Sequence, residues 1–237
     1  MNLAEEDRIP NGKIYNPRIS FDGLNYWLSV NVEIDENQVN ENKTEPIGID
    51  LGLKTLMVCS NGMNFKRINT KKKIKKLKRL QRKASRHYTQ MKNNKTTEKS
   101  SNLLKLEKSI LKQHHKISNI RLNNIHQATT KLVKLNPSHI VIEDLAVSNM
   151  MKNKHLSEKL ADCSFYEIRR QLEYKCDWNK INLIVADRWY PSSKTCSNCR
   201  EVKSKLSLSE RTYKCDICGF EIDRDLNASI NLMNLAV

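Results

Sequence analysis

The spacing of apolar positions changes several times along the chain, and each change marks an element. Ile19 and Phe21 precede an Asp22-Gly23 turn signal, after which Leu28, Val30, Val32 and Ile34 alternate, so residues 18–34 predict a β-hairpin. A lone two-stranded hairpin is marginal in water, so this one needs further strands or must pack on the body. Residues 35–45 are a polar linker without periodicity, closed by Pro46. Short apolar runs then read as strands: Ile47 to Ile49, Thr55 to Val58 beyond a Gly52 bend, His139 to Ile142 after the Asn136-Pro137 break, and Ile181 to Ala186. Between the second and third runs the period lengthens to three or four. Ile74, Leu77, Leu80, Ala84, Tyr88 and Met91 line one helix face, and Leu103, Leu106, Ile110, Ile117, Ile120, Ala128, Leu132 and Leu135 line another, with residues 93–97 as the turn. These predict a long antiparallel helical hairpin over 70–135, its first helix exposed and its second packed on the body. Residues 158–178 read as a single amphipathic helix. Strands alternating with helices imply an α/β layer.

Charge changes the picture at one place. The 237 residues carry a formal net charge of +16, and residues 66–95 hold 14 Lys or Arg and no Asp or Glu. Elsewhere 28 bases face 26 acids. A solvated surface helix interleaves both signs, whereas Lys71, Lys72, Lys75, Lys76, Lys78, Arg79, Arg82, Lys83 and Arg86 would repel one another unless a polyanion lay against them. Phosphate backbone, bound through counterion release, is the expected partner. A membrane surface fits less well, because the apolar face lacks bulky anchors. No apolar run approaches a membrane span of ~18–20 residues, and the acidic opening Glu5-Glu6-Asp7 has no apolar core of a secretory signal. A cytoplasmic, reducing setting is therefore expected, where paired cysteines bind metal before they form disulfides.

Four of the seven cysteines are paired in that sense. Cys196-x2-Cys199 and Cys215-x2-Cys218 lie 15 residues apart, the spacing of a zinc ribbon. Four thiolates would close a tetrahedron and leave no position for water, so the zinc is expected to be structural. Cys59, Cys163 and Cys176 have no such pairing.

Three acids stand at the ends of apolar runs or at a helix start: Asp50, Glu143 and Asp225. Carboxylates held rigidly at strand ends can converge on two divalent ions, and such hard oxygen donors suit Mg²⁺ or Mn²⁺. The pattern alone does not choose among acids. Asp223 competes with Asp225 and is equally an N-cap candidate, while Asp144, Asp162, Asp177 and Asp187 can serve as turn caps or ion-pair partners.

These motifs together resemble one known family. Residues 46–53 (Pro46 through Asp50 and Gly52), 141–145 (around Glu143) and 223–228 (Asp223, Asp225, Asn227) look like the three nuclease motifs of TnpB, or OrfB-type, transposon proteins, which are related to type V CRISPR nucleases. Residues 165–175, 188–196 and the cysteine segment are also similar, so the match runs from about 15 to 237. The resemblance implies a RuvC-like, RNase H-type α/β fold with a basic helical hairpin and an inserted four-cysteine zinc ribbon. Its parts would be a remnant N-terminal β domain and linker (1–45), a nuclease core (46–190), the ribbon (191–220) and a final helix (221–237). It implies Mg²⁺-dependent DNA cleavage guided by a transposon-encoded RNA, with Asp50, Glu143 and Asp225 as catalytic, magnesium-binding acids and Asp225 preferred over Asp223 because it stands two before Asn227. Arg169, Arg170 and Lys194, in the matching segments, join the expected nucleic-acid contacts. Two departures stand out. Arg200 occupies a position where many relatives have glycine, and the N-terminal lobe of relatives is reduced to the hairpin, so the expectation is an N-terminally truncated TnpB-type endonuclease, with a non-cleaving nucleic-acid binder as the alternative.

Overall fold

The computed structural model describes residues 4–33, 41–207 and 209–236. In order, its elements are β1 (Ile14–Phe21), β2 (Tyr26–Val32), β3 (Ile47–Leu51), β4 (Thr55–Cys59), β5 (Asn64–Lys66), α1 (Lys71–Asn93), α2 (Ser101–Lys134), β6 (His139–Glu143), α3 (Val147–Met151), α4 (Ser157–Cys163), α5 (Phe165–Trp178), β7 (Asn182–Ala186), β8 (Thr212–Lys214), β9 (Glu221–Asp223) and α6 (Arg224–Met233). Two compact units form: residues up to 33 with 70–119, and residues 41–69 with 120–236. Helix α2 begins in the first and ends in the second. No helix among the described residues is long and apolar enough to cross a membrane.

In the first unit β1 and β2 pair antiparallel around the Asp22-Gly23 turn. The Asp22 carboxylate fixes that turn by accepting from the backbone N–H groups of Leu24 and Asn25, both at 2.8 Å, and from the Trp27 indole at 2.6 Å. Gly23 has φ +87°, and a Cβ there would lie 2.6 Å from Leu111 of α2. The hairpin is therefore seated on α2 by its turn. Its strands begin at Ile14, earlier than the alternation suggested, and β1 is exposed throughout. Ile34 and linker residues 35–40 lie outside the described residues. Helices α1 and α2 run antiparallel. The Gln113 amide donates to the Lys73 carbonyl at 3.1 Å, the Tyr88 hydroxyl donates to Glu107, and Leu77 and Ala84 are buried.

In the second unit five strands form one mixed sheet, in the order β5-β4-β3-β6-β7. β3, β6 and β7 are parallel; β4 and β5 run antiparallel to their neighbours. Side chains alternate across a sheet, and here the two faces meet different layers. Ile47, Ile49, Ile140 and Ile142 join the main core with Ile125, Ala128 and Leu132 of α2 and with Leu160, Phe165, Ile168 and Leu172 of α4 and α5. The opposite face presents Gly48, Val141 and Ala186 to α6 through Leu232. Gly48 permits this contact: a Cβ on it would stand 2.0 Å from the Ser229 carbonyl oxygen and 2.3 Å from the Met233 nitrogen.

Three local expectations change. Residues 158–178 form two helices, broken at Ser164 with φ 48°, ψ 48°. Ser164 ends α4 in the left-handed conformation, and the chain turns there so that Cys163 and Phe165 both enter the core. Leu135 is exposed, because α2 stops at Lys134 and the chain reverses at Asn136, φ 53°. Ile125 and Val133 fill that core instead. Finally, residues 221–223 belong to strand β9, paired with β8, and the last helix starts at Arg224.

Asp162 anchors this unit. It is 4% exposed and faces Arg121 at 2.8 Å and Arg67 at 3.6 Å. Asp162→Ala would remove the one carboxylate that both guanidiniums face in a half-buried site, with Arg67 keeping its bonds to the Leu53 and Ile68 carbonyls. A loss of about 3–5 kcal/mol is expected, measurable as a lower urea midpoint without a change in secondary structure at zero denaturant.

Candidate nuclease centre and cysteine cluster

The register of the sheet brings two of the three acids level. Ile47, Gly48 and Ile49 of β3 pair with Ile140, Val141 and Ile142 of β6, so Asp50 and Glu143 stand side by side at the C-terminal ends of adjacent parallel strands. By alternation both share the face of Gly48 and Val141, which is the face covered by α6. In open α/β sheets this end of the strands is where ligands bind. Asp225 lies in the first turn of α6, one turn before Ser229, the residue that rests on Gly48.

Hydrogen bonds hold each acid differently. Glu143 Oε1 accepts the Leu51 backbone N–H at 3.0 Å, tying the two strand ends together. Asp225 Oδ1 accepts from Arg224 Nη2 at 3.0 Å, and Arg211 lies 4.0 Å from its other oxygen. Asp223 Oδ1 accepts the backbone N–H groups of Asp225 and Leu226, both at 3.0 Å, and so caps α6. Burial raises the Asp50 carboxyl well above its usual range, and the charges of Glu143 and Asp225 add to this, with Arg224 opposing. Burial also lifts Glu143 to about 7; the Leu51 N–H opposes the shift and Asp225 adds to it. Like charges gathered in a half-buried site are what a divalent cation relieves, and the donors are all hard oxygens. The three acids are not within 4.8 Å of one another as the four cysteines are.

The four cysteine Sγ atoms all lie within 4.8 Å of one another, the one such His, Cys, Asp or Glu group among the described residues. Cys196 and Cys215 are buried; Cys199 and Cys218 face outward. The Phe220 N–H, helped by the Asn198 amide, draws the Cys218 thiol down to about 6, toward the thiolate form that binds metal. Each knuckle closes with a left-handed residue, Gly219 at φ 71° and Arg200 at φ 69°. Glycine adopts that conformation freely; arginine pays roughly 1 kcal/mol for it. Arg200 is exposed, so Arg200→Gly is expected to raise the melting temperature by about 2–4 °C, read by differential scanning fluorimetry.

Two residues absent from the sequence-derived site couple the cluster to the acids. Asn227 and Asn231, one turn apart on α6, are 0% and 1% exposed. Asn227 accepts the Ser197 backbone N–H at 3.0 Å and donates to the Thr195 carbonyl at 2.7 Å. Asn231 donates to the carbonyls of Thr195 and Ser192. The first knuckle is thereby clamped to the helix that carries Asp225. Paired asparagines on an otherwise apolar helix face are the signal for such a clamp.

The predicted nucleic-acid contacts divide. Lys71, Lys72, Lys75, Lys76, Lys78, Arg79, Arg82, Lys83 and Arg86 are all exposed on α1. Arg169 and Arg170 are exposed on α5, where Arg170 holds Glu167 at 2.7 and 2.8 Å. Lys194 is half-buried and donates to the Ser204 carbonyl within the cysteine segment. Of the other acids, Asp144 meets Arg169 and Arg188, and Asp187 accepts the Trp189 N–H.

Comparison with known proteins places these features in context. The OrfB family of IS605-type elements, described as "Probable transposase", matches residues 29–154, and the "Cas12f1-like, TNB domain" matches residues 165–232. A "Putative RNA-guided DNA endonuclease" of Streptomyces pristinaespiralis is 36% identical over 80% of this chain and 45% of its own length. The similarly named InsQ of Escherichia coli K12 is 30% identical over 94% of this chain and 56% of its own. The chain thus spans about half the length of these curated relatives. Among solved structures, a CRISPR-Cas12f ternary complex shares the fold with a TM-score of 0.53 and 22% identity, over 88% of this chain and 42% of the other.

Proposed function

The chain belongs to the OrfB (TnpB) family of transposon proteins, and from that premise we propose that it carries the catalytic centre of a Mg²⁺- or Mn²⁺-dependent DNA endonuclease. The observation that carries this reading is the meeting of Asp50 and Glu143 on neighbouring strand ends with Asp225 on the helix that covers them, all three on one face. Asp50, Glu143 and Asp225 would hold the divalent ions. When bound, those ions would activate water and stabilise the charge that develops on the cleaved phosphodiester.

The remaining residues prepare the site. The Leu51 N–H fixes the Glu143 carboxylate, and Arg224 holds one oxygen of Asp225. Asp223, committed to capping, sets where α6 begins and hence where Asp225 points. The exposed cations of α1 supply a sequence-independent grip on phosphate backbone. The relatives' names describe them as RNA-guided, and a transposon-encoded guide RNA is the proposed polyanion for that helix. The cysteine cluster is proposed to hold structural zinc.

The test uses the purified chain and labelled single-stranded DNA. Cutting is expected with Mg²⁺, not with EDTA, and not in Asp225→Ala. DNA binding is expected to survive that substitution and to weaken steeply with salt. Binding without cutting in the unaltered chain would reduce it to a nucleic-acid binder, and cutting that persists in Asp225→Ala would overturn the site assignment.

A further inference from the structure

Next to Glu143 the end of β6 opens into a cleft of about 280 Å³, whose lining includes Glu143, Asp144, Tyr166, Arg169 and Arg188. That is near the small end of ligand pockets, ~300 Å³, a size suited to part of a single strand such as one nucleotide. Phe165 is 3% exposed and pins the start of α5 to the core, which leaves the adjacent Tyr166 ring 73% exposed at the rim. Two guanidiniums converge on one carboxylate here: Arg169 Nη1 approaches Asp144 Oδ1 at 3.3 Å, and Arg188 donates to Asp144 Oδ2. Arg169 also donates to Glu173 at 3.0 Å. Solvent-exposed ion pairs of this kind contribute little and are readily exchanged, whereas a phosphate offers guanidinium a stronger forked partner. An exposed aromatic face beside two such groups is the arrangement that stacks an unpaired base and holds its phosphate.

We propose that this cleft binds one unpaired nucleotide of the DNA strand immediately beside the phosphodiester presented to the acids. The Tyr166 ring stacks on its base and Arg169 and Arg188 take its phosphate. Asp144 is a positioning residue that keeps both guanidiniums directed into the cleft until the phosphate arrives. The proposal rests on the nuclease reading for the identity of the strand, and it accounts for how an unpaired strand would be registered against Glu143.

The test binds short single-stranded DNA carrying 2-aminopurine at successive positions to the Asp50→Asn chain, which keeps the strand uncut. Quenching is expected at one position. Adding Tyr166→Ala is expected to restore the emission and weaken binding about tenfold, while Tyr166→Phe retains both. With the acids intact, Tyr166→Ala is expected to raise KM about tenfold with a smaller change in kcat. The exposed ring predicts an unchanged melting temperature, which a merely structural tyrosine would shift. Arg169→Ala is expected to lower the slope of log affinity against log salt by about 1. DNA that fails to bind, binds unquenched, or is quenched and cut alike by the Tyr166→Ala chain overturns the cleft and leaves the acid site standing. Tyr166-dependent quenching together with equal cutting by the intact and Asp50→Asn chains overturns the nuclease reading and leaves the cleft.

Discussion

Asp50→Asn should abolish the divalent-dependent cleavage proposed for this chain and, in the same protein without metal, raise the melting temperature at pH 8. The two effects have one cause. Asp50 sits in a half-buried group of carboxylates, and its ionisation is opposed first by desolvation and then by the charges of Glu143 and Asp225. The amide has the same shape and no charge. As a ligand it gives up an anionic oxygen, and a loss of ~4 kcal/mol in charge stabilisation is about 10³-fold in rate. As a half-buried group it removes a repulsion.

The sign follows from linkage. A carboxyl whose folded pKa is raised gives the folded state extra bound protons, so its contribution to stability is complete below the unfolded pKa and is lost as pH rises through the folded value. For Glu143 that window runs from its ordinary 4.5 to about 7, and its loss is on the order of 3 kcal/mol. Asp50 acts in the same direction. His126 and Cys218, whose pKa values are lowered, act in the opposite sense and equally in both proteins, so from pH 5 to pH 8 the metal-free wild type should lose melting temperature relative to Asp50→Asn, and Mg²⁺ should restore the wild type more than the variant. Thermal melts at both pH values, with EDTA or Mg²⁺, give the answer. A variant that melts lower than wild type at pH 8 would make Asp50 a structural residue.

Loss of the zinc proposed for the cysteine cluster should have the second large effect, and it should extend to the acids. Structural zinc contributes roughly 10–16 kcal/mol in small modules, and the ribbon has little else: its core is Cys196, Tyr213 and Cys215 with a few partly buried neighbours. Cys215→Ser, or strong chelation, should unfold this segment. Because Thr195 and Ser197 are bonded to Asn227 and Asn231, α6 then loses its outer support, and Asp225 its position. Cleavage should fall to background although no cysteine touches an acid. Cobalt substitution checks the ligand set, since four thiolates give an intense visible spectrum. Hydrogen exchange checks the coupling: faster exchange confined to the ribbon, with α6 and cleavage unaffected, would show that the clamp carries no load.

Much of this was open to inspection in one dimension. The 3.6 period of α1, its unbroken run of cations and the short apolar runs of β3, β4, β6 and β7 are properties of neighbours along the chain. The two Cys-x2-Cys pairs are also local, which is why their meeting in space was anticipated from spacing. The break between α4 and α5 lies outside any local window, because the left-handed turn at Ser164 goes with the entry of Cys163 and Phe165 into a core shared with α2 and the sheet.

The amino-acid order alone thus determined the helical period of α1, the short apolar strands β3, β4, β6 and β7, where the positive charge gathers and the two Cys-x2-Cys pairs, since each is a pattern among near neighbours in the chain. Tertiary structure decided the rest. It decided that β3 lies beside β6, which brings the Leu51 N–H to a carboxylate 92 residues away. It decided that α6 settles on the sheet at Gly48, and that Asp223 caps this helix while Asp225 lies near enough to Asp50 for their charges to interact. Strand order and close helix approach arise from burying one shared core, and that demand is not written in any single stretch of chain.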